Sequence, residues 1–444
     1  MDFFKELLRG VVGMCCVAGL VGGAGQAAGG ETGPVTLSQS WFAKDTRFAL
    51  AYGPFRTWQS PGGPLPSFAE IEEDLGIIKQ ETGQIRLYGS CGFMATIPSL
   101  AAKHGLEVIQ GVALSAKKDE NEREMRCFGE RLAQNPNISI GLVGNEILLR
   151  QELTEEELAD YIDRARAMGA KIPLSTGETW NSWCSEVGEG VRCPGRKRLG
   201  ESVDFIGAHF FPYWEGVPVE HGAAHVLATW ITLRAAFPDK DVIVTETGWP
   251  TGGRPFGLAE GNVENQRRFL RDLRGWASDY RVPVVLFEIF DEPWKEIAEG
   301  QVGGHWGYYD VKRKPKHAGL QWPQPTKIAE PAAPAVRIEH PRMEKKFRTK
   351  TNCGIPVFGR AWHAGPGWHV RVEVHSDTWY LQQQWYPAGL IPVVDGMWSI
   401  PEAVLGGIGA NNRHGLRATL LDADGKAVAT DEIDGLIRTN ECTP

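Results

Sequence analysis

The fold is decided by a strand that ends on a carboxylate, Asp241-Val242-Ile243-Val244-Thr245-Glu246-Thr247-Gly248-Trp249-Pro250. The consecutive apolar, mostly β-branched residues from Val242 to Val244 indicate a strand that is buried on both faces, as in parallel sheets. Glu246 closes this run, and a buried carboxylate is costly unless the protein uses it. Trp249 adds a flat apolar face on which a sugar ring could stack. The stretch therefore predicts a parallel sheet and suggests carbohydrate chemistry.

Strand-like and helix-like patterns alternate on both sides of this stretch. Thr154 and Glu157 form a capping-box pattern that opens a predicted helix over residues 155–168, and similar amphipathic patterns cover 223–236 and 264–276. Eight strands followed by helices over roughly 250 residues predict a (β/α)8 TIM barrel, here residues 40–320. The alternative is a doubly wound open sheet, but no glycine-rich phosphate fingerprint follows the first strand. The predicted strands are residues 48–53, 85–89, 107–113, 139–145, 172–176, 204–210, 242–246 and 283–288.

The C-terminal third of the chain has a different pattern. Residues 321–350 are proline-rich and contain a basic cluster, which predicts a semi-rigid linker. Beyond it, residues 370–374 alternate apolar and polar side chains, and turn signals such as Asp395-Gly396 separate such runs. Residues 351–444 are therefore predicted to form a smaller all-β, sandwich-like accessory module. A mixed α+β module is the alternative, although no segment there has a helical period.

The N-terminus and the overall charge indicate an exported protein. Lys5 and Arg9 precede an apolar, glycine-rich run, which predicts a signal peptide over residues 1–28; an uncleaved N-terminal anchor is the alternative. After signal removal we expect no membrane span and a periplasmic or secreted location. The net charge of -8 argues against a nucleic-acid partner. We expect a monomer.

Six cysteines remain once the signal peptide is removed, an even number that fits an oxidising compartment. Cys184 and Cys193 flank a glycine-rich loop, and Cys353 and Cys442 bracket the last segment, so we expect each pair to form a disulfide. Cys91 would then pair with Cys127 by elimination. A zinc site is not expected, because the chain has no C-x-x-C motif or Cys/His cluster.

Carboxylates follow several of the predicted strands, at the barrel end where active sites lie. Glu146 ends the fourth strand and Glu246 ends the seventh, so the two face each other across the barrel mouth. Hydrolysis of a glycosidic bond uses two such carboxyl groups, one to protonate the leaving oxygen and one to attack or to activate water. This pair is the strongest candidate for catalysis. A salt-bridged rim residue is the structural alternative for either glutamate alone.

Four motifs in this order resemble glycoside hydrolase family 17, the β-1,3-glucanases and related glucanosyltransferases, including its bacterial and fungal branches. Residues 244–251 (VTETGWPT) look like the signature around the family's nucleophile, and residues 143–146 (VGNE) are similar to its acid/base motif. Residues 85–89 (IRLYG) match its second strand, and residues 287–295 (FEIFDEPWK) resemble the segment after its eighth strand. The resemblance covers about residues 45–318.

The resemblance implies specific roles at matching positions. Glu146 would be the general acid/base and Glu246 the nucleophile of a retaining double displacement, with Asn145 bonding the sugar 2-hydroxyl. Glu292 and Lys295 would tune charge near the pair, while Tyr88 and Trp249 would surround the sugar subsites. One departure lies on strand six, where Phe211 stands at a position at which the family often has a hydrogen-bonding Tyr or His. The other expected substrate contacts are Tyr52, Glu178, His209, Tyr213 and Glu288.

The resulting expectation is a retaining β-glucan-active glycosidase that cleaves β-1,3-glucan and needs no cofactor or metal. A transglycosylase using the same two glutamates is one alternative. A non-catalytic glucan-binding protein on an inactivated barrel is the other. The dense aromatic residues of the C-terminal module, including Trp362, Trp379 and Trp385, could form a sugar-binding surface or could pack the module against the barrel.

Overall fold

Eight parallel strands close into a barrel in sequential order, each hydrogen-bonded to its neighbours in the chain and β1 to β8. This computed structural model describes residues 37, 41, 48–186, 191–192, 196–317, 328–406 and 412–442. The predicted TIM barrel is confirmed, since helices lie between the strands around a continuous apolar core. The barrel strands are β1 (Ala49–Ala51), β2 (Gln84–Arg86), β3 (Glu107–Val112), β4 (Ile138–Asn145), β5 (Leu174–Thr179), β6 (Ile206–His209), β7 (Val242–Thr247) and β8 (Val284–Leu286).

The helix Glu155–Ala167 begins where its capping box predicts, whereas the helix predicted over residues 223–236 begins four residues earlier, at Val219. The capping box of Thr154 and Glu157 is formed in full, with each side chain bonded to the other residue's backbone N–H. The helices are α1 (Phe68–Glu81), α2 (Ile97–Lys103), α3 (Lys118–Gln134), α4 (Glu155–Ala167), α5 (Lys197–Ser202), α6 (Val219–Ala236), α7 (Val263–Tyr280) and α8 (Glu296–Glu299). Short 3-10 turns occupy Gly92–Thr96, Trp180–Trp183, Pro293–Lys295, Gly300–His305 and Pro387–Gly389, and a small hairpin pairs Ser185–Glu186 with Val191–Arg192.

The C-terminal region consists of two sheets around a second core, as predicted, and all of their described strand pairs are antiparallel except that of Lys346–Phe347 with Ala427–Arg438. One sheet has the order β9-β11-β15, and the other has β10-β17-β16-β12-β13, with β14 also pairing β12. Trp398 from the first sheet and Leu416 from the second are both fully buried in the shared core. The strands are β9 (Ala335–His340), β10 (Lys346–Phe347), β11 (Gly354–Trp362), β12 (His369–His375), β13 (Trp379–Leu381), β14 (Ile391–Pro392), β15 (Met397–Val404), β16 (Arg413–Leu421) and β17 (Ala427–Arg438).

The structure differs from the predicted linker over residues 321–350. Strands β9 and β10 fall within that segment and belong to the two sheets of the module. Val336 and Ile338 are buried while Arg337 between them is exposed, which is the period of a half-buried strand. The surrounding prolines and charged residues masked this short alternation. The part of the predicted linker over residues 321–327 lies outside the described residues, as does the predicted signal peptide.

Helix α6 is covered on both sides, by the barrel and by the module. Ser399 on β15 donates a hydrogen bond to the carbonyl of Ala228 at 2.8 Å, and its hydroxyl lies 3.2 Å from that of Thr232. A helix that is apolar all round is usually buried all round, which fits the sequence of α6. The barrel and the module therefore belong to one compact unit.

Disulfides Cys91–Cys127 and Cys353–Cys442 are formed as predicted. Cys184 is also disulfide-bonded, and Cys193, its predicted partner, lies outside the described residues. In the part of the chain that the structure describes, none of the helices combines the length and the apolar character that crossing a bilayer requires.

Candidate active site

The two predicted catalytic glutamates meet at the mouth of the barrel. Glu146 follows β4 directly, and Glu246 lies near the C-terminal end of β7. One oxygen of each carboxyl group and one ring nitrogen of His209 all lie within 4.8 Å of one another. The side chain of Glu146 is 25% exposed, whereas that of Glu246 is only 5% exposed. The pair thus combines one buried carboxyl group with one that solvent or a ligand can reach.

The backbone at Glu146 is shaped to aim its side chain into the barrel mouth. Gly144 and Glu146 both have left-handed conformations, with φ values of 90° and 53°. A Cβ on Gly144 would lie 3.1 Å from Ile147 and Leu158, so this position favours glycine on two grounds. Left-handed conformation at a non-glycine residue is costly and persists only where the surroundings enforce it.

Glu178 provides part of that enforcement from behind Glu146. Its carboxylate accepts hydrogen bonds from the backbone N–H groups of Ile147 at 2.9 Å and Leu148 at 3.2 Å. Burial raises the pKa of Glu178 to about 8, although these two bonds favour its ionised form. Because Glu178 is fully buried, the structure places it as a support for Glu146 rather than as the expected substrate contact.

Arg86 on β2 connects the two halves of the site and was not among the predicted site residues. Its Nη1 donates to Glu246 Oε1 at 2.7 Å and to the Thr245 carbonyl at 2.6 Å, and its Nη2 donates to Asn145 Oδ1 at 2.5 Å. Arg86 is 1% exposed, so Glu246 forms a buried ion pair. A charged residue inside an otherwise apolar strand was the sequence signal that could have identified it.

His209 lies between the two glutamates. Its Nδ1 is 3.0 Å from Glu146 Oε1, and its Nε2 is 3.5 Å from Glu246 Oε1. Burial, together with the nearby Arg86 charge, lowers the pKa of His209 to about 3, so the ring is neutral. The Arg86 guanidinium lies 3.4 Å from Nε2, and its positive charge favours the tautomer in which Nε2 carries a lone pair. In that tautomer the proton is on Nδ1, which donates a hydrogen bond to Glu146.

One cluster of side chains that could ligate a metal ion occurs in the described part of the chain, and it consists of Glu146, His209 and Glu246. Arg86 already places a positive charge 2.7 Å from Glu246 Oε1. A divalent cation on the same oxygen would be repelled by that guanidinium. The arrangement therefore suits a pair of reacting carboxyl groups better than a cation site.

Burial sets the chemistry of Glu146. It raises the pKa of Glu146 above that of an ordinary glutamate, against the smaller opposing effects of Arg150 and Arg86. A raised pKa favours the protonated form, which a general acid needs. Glu246 is instead paired with a guanidinium. The two carboxyl groups thus have different surroundings, as a division between acid and nucleophile requires.

A second charged group follows β8, at the same end of the barrel as Glu146 and Glu246, and is formed by Glu288, Glu292 and Lys295. The ammonium of Lys295 lies 2.5 Å from Glu288 Oε2 and 2.8 Å from Glu292 Oε2, and all three residues are buried. Burial raises the pKa of Glu288, while the two carboxylates raise that of Lys295 against the effect of burial. A Cβ on Gly53 would meet the Glu292 carboxylate at 2.2 Å, so glycine is needed there.

Three aromatic residues expected to contact substrate are instead packed inside the protein. The Tyr52 hydroxyl donates to Asp74 at 3.0 Å, and the Tyr213 hydroxyl donates to the Arg254 carbonyl at 2.5 Å. Trp249 is 1% exposed, and its Nε1 donates to the Glu260 carbonyl at 2.9 Å. The polar atom of each side chain forms a hydrogen bond inside the protein, so these side chains contribute to packing rather than to substrate contact.

Other residues complete the walls of the site. Tyr88 is half-buried, with the Arg86 guanidinium 4.7 Å from the centre of its ring. Phe211 packs edge-on against Phe287 and Trp306 at 5.6 and 5.4 Å. Glu299, which no sequence motif marked, accepts a hydrogen bond from Trp306 Nε1 at 2.9 Å. Burial raises the pKa of Glu299, against the opposing effects of Lys295 and of the Trp306 hydrogen bond.

The BtgE/BtgC glycoside hydrolase domain matches residues 49–307, which is more than half of the chain and includes all of the site. A glucan 1,3-beta-glucosidase of Arthroderma benhamiae is 25% identical over 276 residues, covering 58% of this chain and 86% of that protein. A glucan 1,3-beta-glucosidase of Saccharomyces cerevisiae is 26% identical over 268 residues, covering 56% and 83%.

Solved structures share the barrel. A glycoside hydrolase family 17 beta-1,3-glucanosyltransferase from Rhizomucor miehei aligns with 63% of this chain and 98% of its own, at 24% identity and a TM-score of 0.54. An endo-laminarinase from Formosa aligns with 60% of this chain and 84% of its own, at 17% identity and a TM-score of 0.53. At these identities the likeness concerns the fold.

Proposed function

The chain belongs to the BtgE/BtgC glycoside hydrolases of glycoside hydrolase family 17, and on that premise we propose that it cleaves β-1,3-glucan by a retaining double displacement. One observation carries the proposal: Glu146 and Glu246 approach within 4.8 Å, and Arg86 pairs with only one of them. The named activities of the curated relatives support the substrate class.

The separation of the two carboxyl groups supports retention of configuration. Retaining glycosidases hold their carboxyl groups about 5–5.5 Å apart, whereas inverting ones need room for a water and separate them by about 6.5–9.5 Å. The oxygens of Glu146 and Glu246 lie on the short side of this division. A sugar held between them is therefore within reach of direct attack.

The reaction follows from the surroundings of each group. Glu146, whose protonated form is favoured because burial raises its pKa, delivers its proton to the glycosidic oxygen as the bond breaks. Glu246, held by Arg86, attacks the anomeric carbon and forms a glycosyl-enzyme. Glu146, now ionised, then takes a proton from the incoming water or sugar hydroxyl, and the attack of that oxygen releases the product.

Asn145 is oriented to donate to the substrate. Arg86 can only donate hydrogen bonds, so the Asn145 atom that faces it must be the oxygen. The amide nitrogen then remains to donate to a sugar hydroxyl. This orientation supports the role at the 2-hydroxyl, a contact that strengthens in the transition state.

The proposed enzyme works outside the cytoplasm. Disulfides Cys91–Cys127 and Cys353–Cys442 support this location, because such bonds persist in oxidising compartments. The acidic charge balance is consistent with a neutral polysaccharide as the partner.

The test is an incubation of purified protein with β-1,3-glucan oligosaccharides, with products separated by length. Shorter products alone indicate hydrolysis, longer products indicate transfer to another sugar, and no change in length indicates a binding protein.

We expect Glu146→Gln and Glu246→Gln each to lower kcat/KM by at least ~100-fold, since each removes a group used in bond cleavage. Glu156→Gln, at an exposed position on α4, is the matched control. Activity of either site variant within ~10-fold of the wild type would refute the assignment.

A further inference from the structure

Trp58 is highly exposed to solvent: 72% of its surface is accessible, more than for any other tryptophan in the part of the chain that the structure describes. It lies in the loop between β1 and α1, and loops that follow barrel strands form the face that carries the active site. An indole ring left in water forgoes the free energy that burial would supply, on the order of 25 cal/mol per Å². Neither the catalytic pair nor the packing of the fold uses this ring.

The residues on both sides of Trp58 are firmly held. The Arg56 guanidinium lies 2.9 Å from Glu73 and 3.0 Å from Asp74 on α1, and the Gln59 side chain accepts from the Arg56 N–H at 2.9 Å. Gln59 is 4% exposed and also donates to Glu70. Trp58 therefore projects from a braced turn, and a preformed aromatic surface loses little conformational entropy on binding.

The same loop contacts the buried charged group formed by Glu288, Glu292 and Lys295. Phe55 packs against Trp294 with ring centres 5.8 Å apart, and its N–H donates to Glu292 at 3.3 Å. Glu292 is joined through Lys295 to Glu288. Trp58 is three positions after Phe55 in the chain, a span of at most about 11 Å. Trp58 thus lies in a loop at the end of the barrel that carries Glu146 and Glu246, within that span of a residue that contacts Glu292.

We propose that Trp58 is a sugar-stacking platform that holds a distal part of a β-glucan chain at the rim of the cleft. This proposal rests on the proposed function. The indole face would cover the apolar face of a sugar ring several units from the cleaved bond. The site would therefore serve long chains and would not be reached by a short oligosaccharide bound across Glu146 and Glu246.

The experiment compares wild type, Trp58→Ala and Trp58→Phe on a β-1,3-linked trisaccharide and on long β-1,3-glucan chains. We expect Trp58→Ala to raise KM for long chains by about three- to tenfold, as expected for one lost aromatic contact, with kcat unchanged. Kinetics on the trisaccharide should be unchanged, and Trp58→Phe should recover most of the loss. Met343→Ala removes another highly exposed apolar side chain, at 95% exposure on the module, and should have no effect.

A direct binding measurement makes the outcome independent of turnover. In the Glu246→Gln background, Trp58→Ala should weaken binding of long chains by the same factor and leave trisaccharide binding unchanged. Equal losses at both lengths, or no loss at either, would overturn the platform while wild-type cleavage of β-1,3-glucan left the proposed function standing. If the wild type neither cleaves, transfers nor binds any β-1,3-glucan, both proposals fail together.

Discussion

At the scale of single residues, the site depends on a contact that motif reading did not identify. Glu146 and Glu246 were predictable because each ends a strand that the apolar pattern marks clearly. Arg86 stands inside the motif of residues 85–89 (IRLYG), yet its role depends on three partners that lie 59 to 160 positions away along the chain. A charge inside an apolar strand could have marked Arg86 as unusual, but long-range contacts leave no local periodicity, so only the folded structure identifies its partners.

Substitution of Arg86 tests this contact. Arg86→Lys retains the charge, but a single ammonium cannot reach Glu246, the Thr245 carbonyl and Asn145 together. Leaving one buried acceptor unpaired costs about 1–3 kcal/mol, so we expect kcat to fall by about 10- to 100-fold. Steady-state kinetics on β-1,3-glucan measures this loss, and Arg337→Lys, at an exposed position on β9, is the control. A kcat within twofold of the wild type would remove Arg86 from the proposed mechanism.

At the scale of elements, the sequence predicts a helix or strand correctly where the residues that define it are close together in the chain. The capping box places the start of α4 correctly because both of its partners lie within four residues of each other. Strand β9 was missed because its short alternation is flanked by prolines and charges, and its hydrogen-bonding partner β11 begins well downstream. The burial of Tyr52, Tyr213 and Trp249 was likewise invisible, since an aromatic near a strand end can face either the cleft or the fold.

The cap of α4 can be tested separately from catalysis. Thr154→Ala removes the side-chain oxygen that accepts from the Glu157 N–H. We expect a loss of about 1 kcal/mol in the free energy of unfolding, measured by denaturant titration, and unchanged kcat. Thr378→Ala, at an exposed threonine on the module, should change neither. Equal stability of the Thr154 and Thr378 variants would show that the cap does not contribute.

At the scale of the whole molecule, the module is held against the barrel through contacts that include a pair of histidines. His221 Nδ1 on α6 lies 3.0 Å from His340 Nε2 on β9. Burial lowers the pKa of His221 to about 4 and that of His340 well below its usual value, even though Glu220 opposes the shift of His221 while Arg268 and Arg348 add to it. Both rings are therefore neutral in the folded protein across the neutral and mildly acidic range.

These lowered pKa values predict a loss of stability in acid. Below the ordinary histidine pKa of about 6.5, the unfolded chain binds protons that the folded chain does not, so unfolding becomes more favourable as the pH falls toward 4. We expect His221→Asn/His340→Gln, which keeps hydrogen-bonding groups without titration, to lose about 3–5 kcal/mol less than the wild type between pH 7 and 4.5. Equilibrium unfolding at both pH values measures this, with exposed His363→Asn as the control. An identical loss in the double variant and the wild type would contradict the prediction.

The central claim is that Glu146 and Glu246 perform a retaining displacement, and the most direct test is the anomeric configuration of the first product. Proton NMR of a β-1,3-glucan digest, recorded before the released sugar equilibrates, distinguishes the two anomers at the newly formed reducing end. Because an oxygen of Glu146 and an oxygen of Glu246 lie within 4.8 Å of each other, we predict that the β-anomer appears first. Initial appearance of the α-anomer would mean that water attacks in a single inverting step, and would contradict the roles assigned to both glutamates.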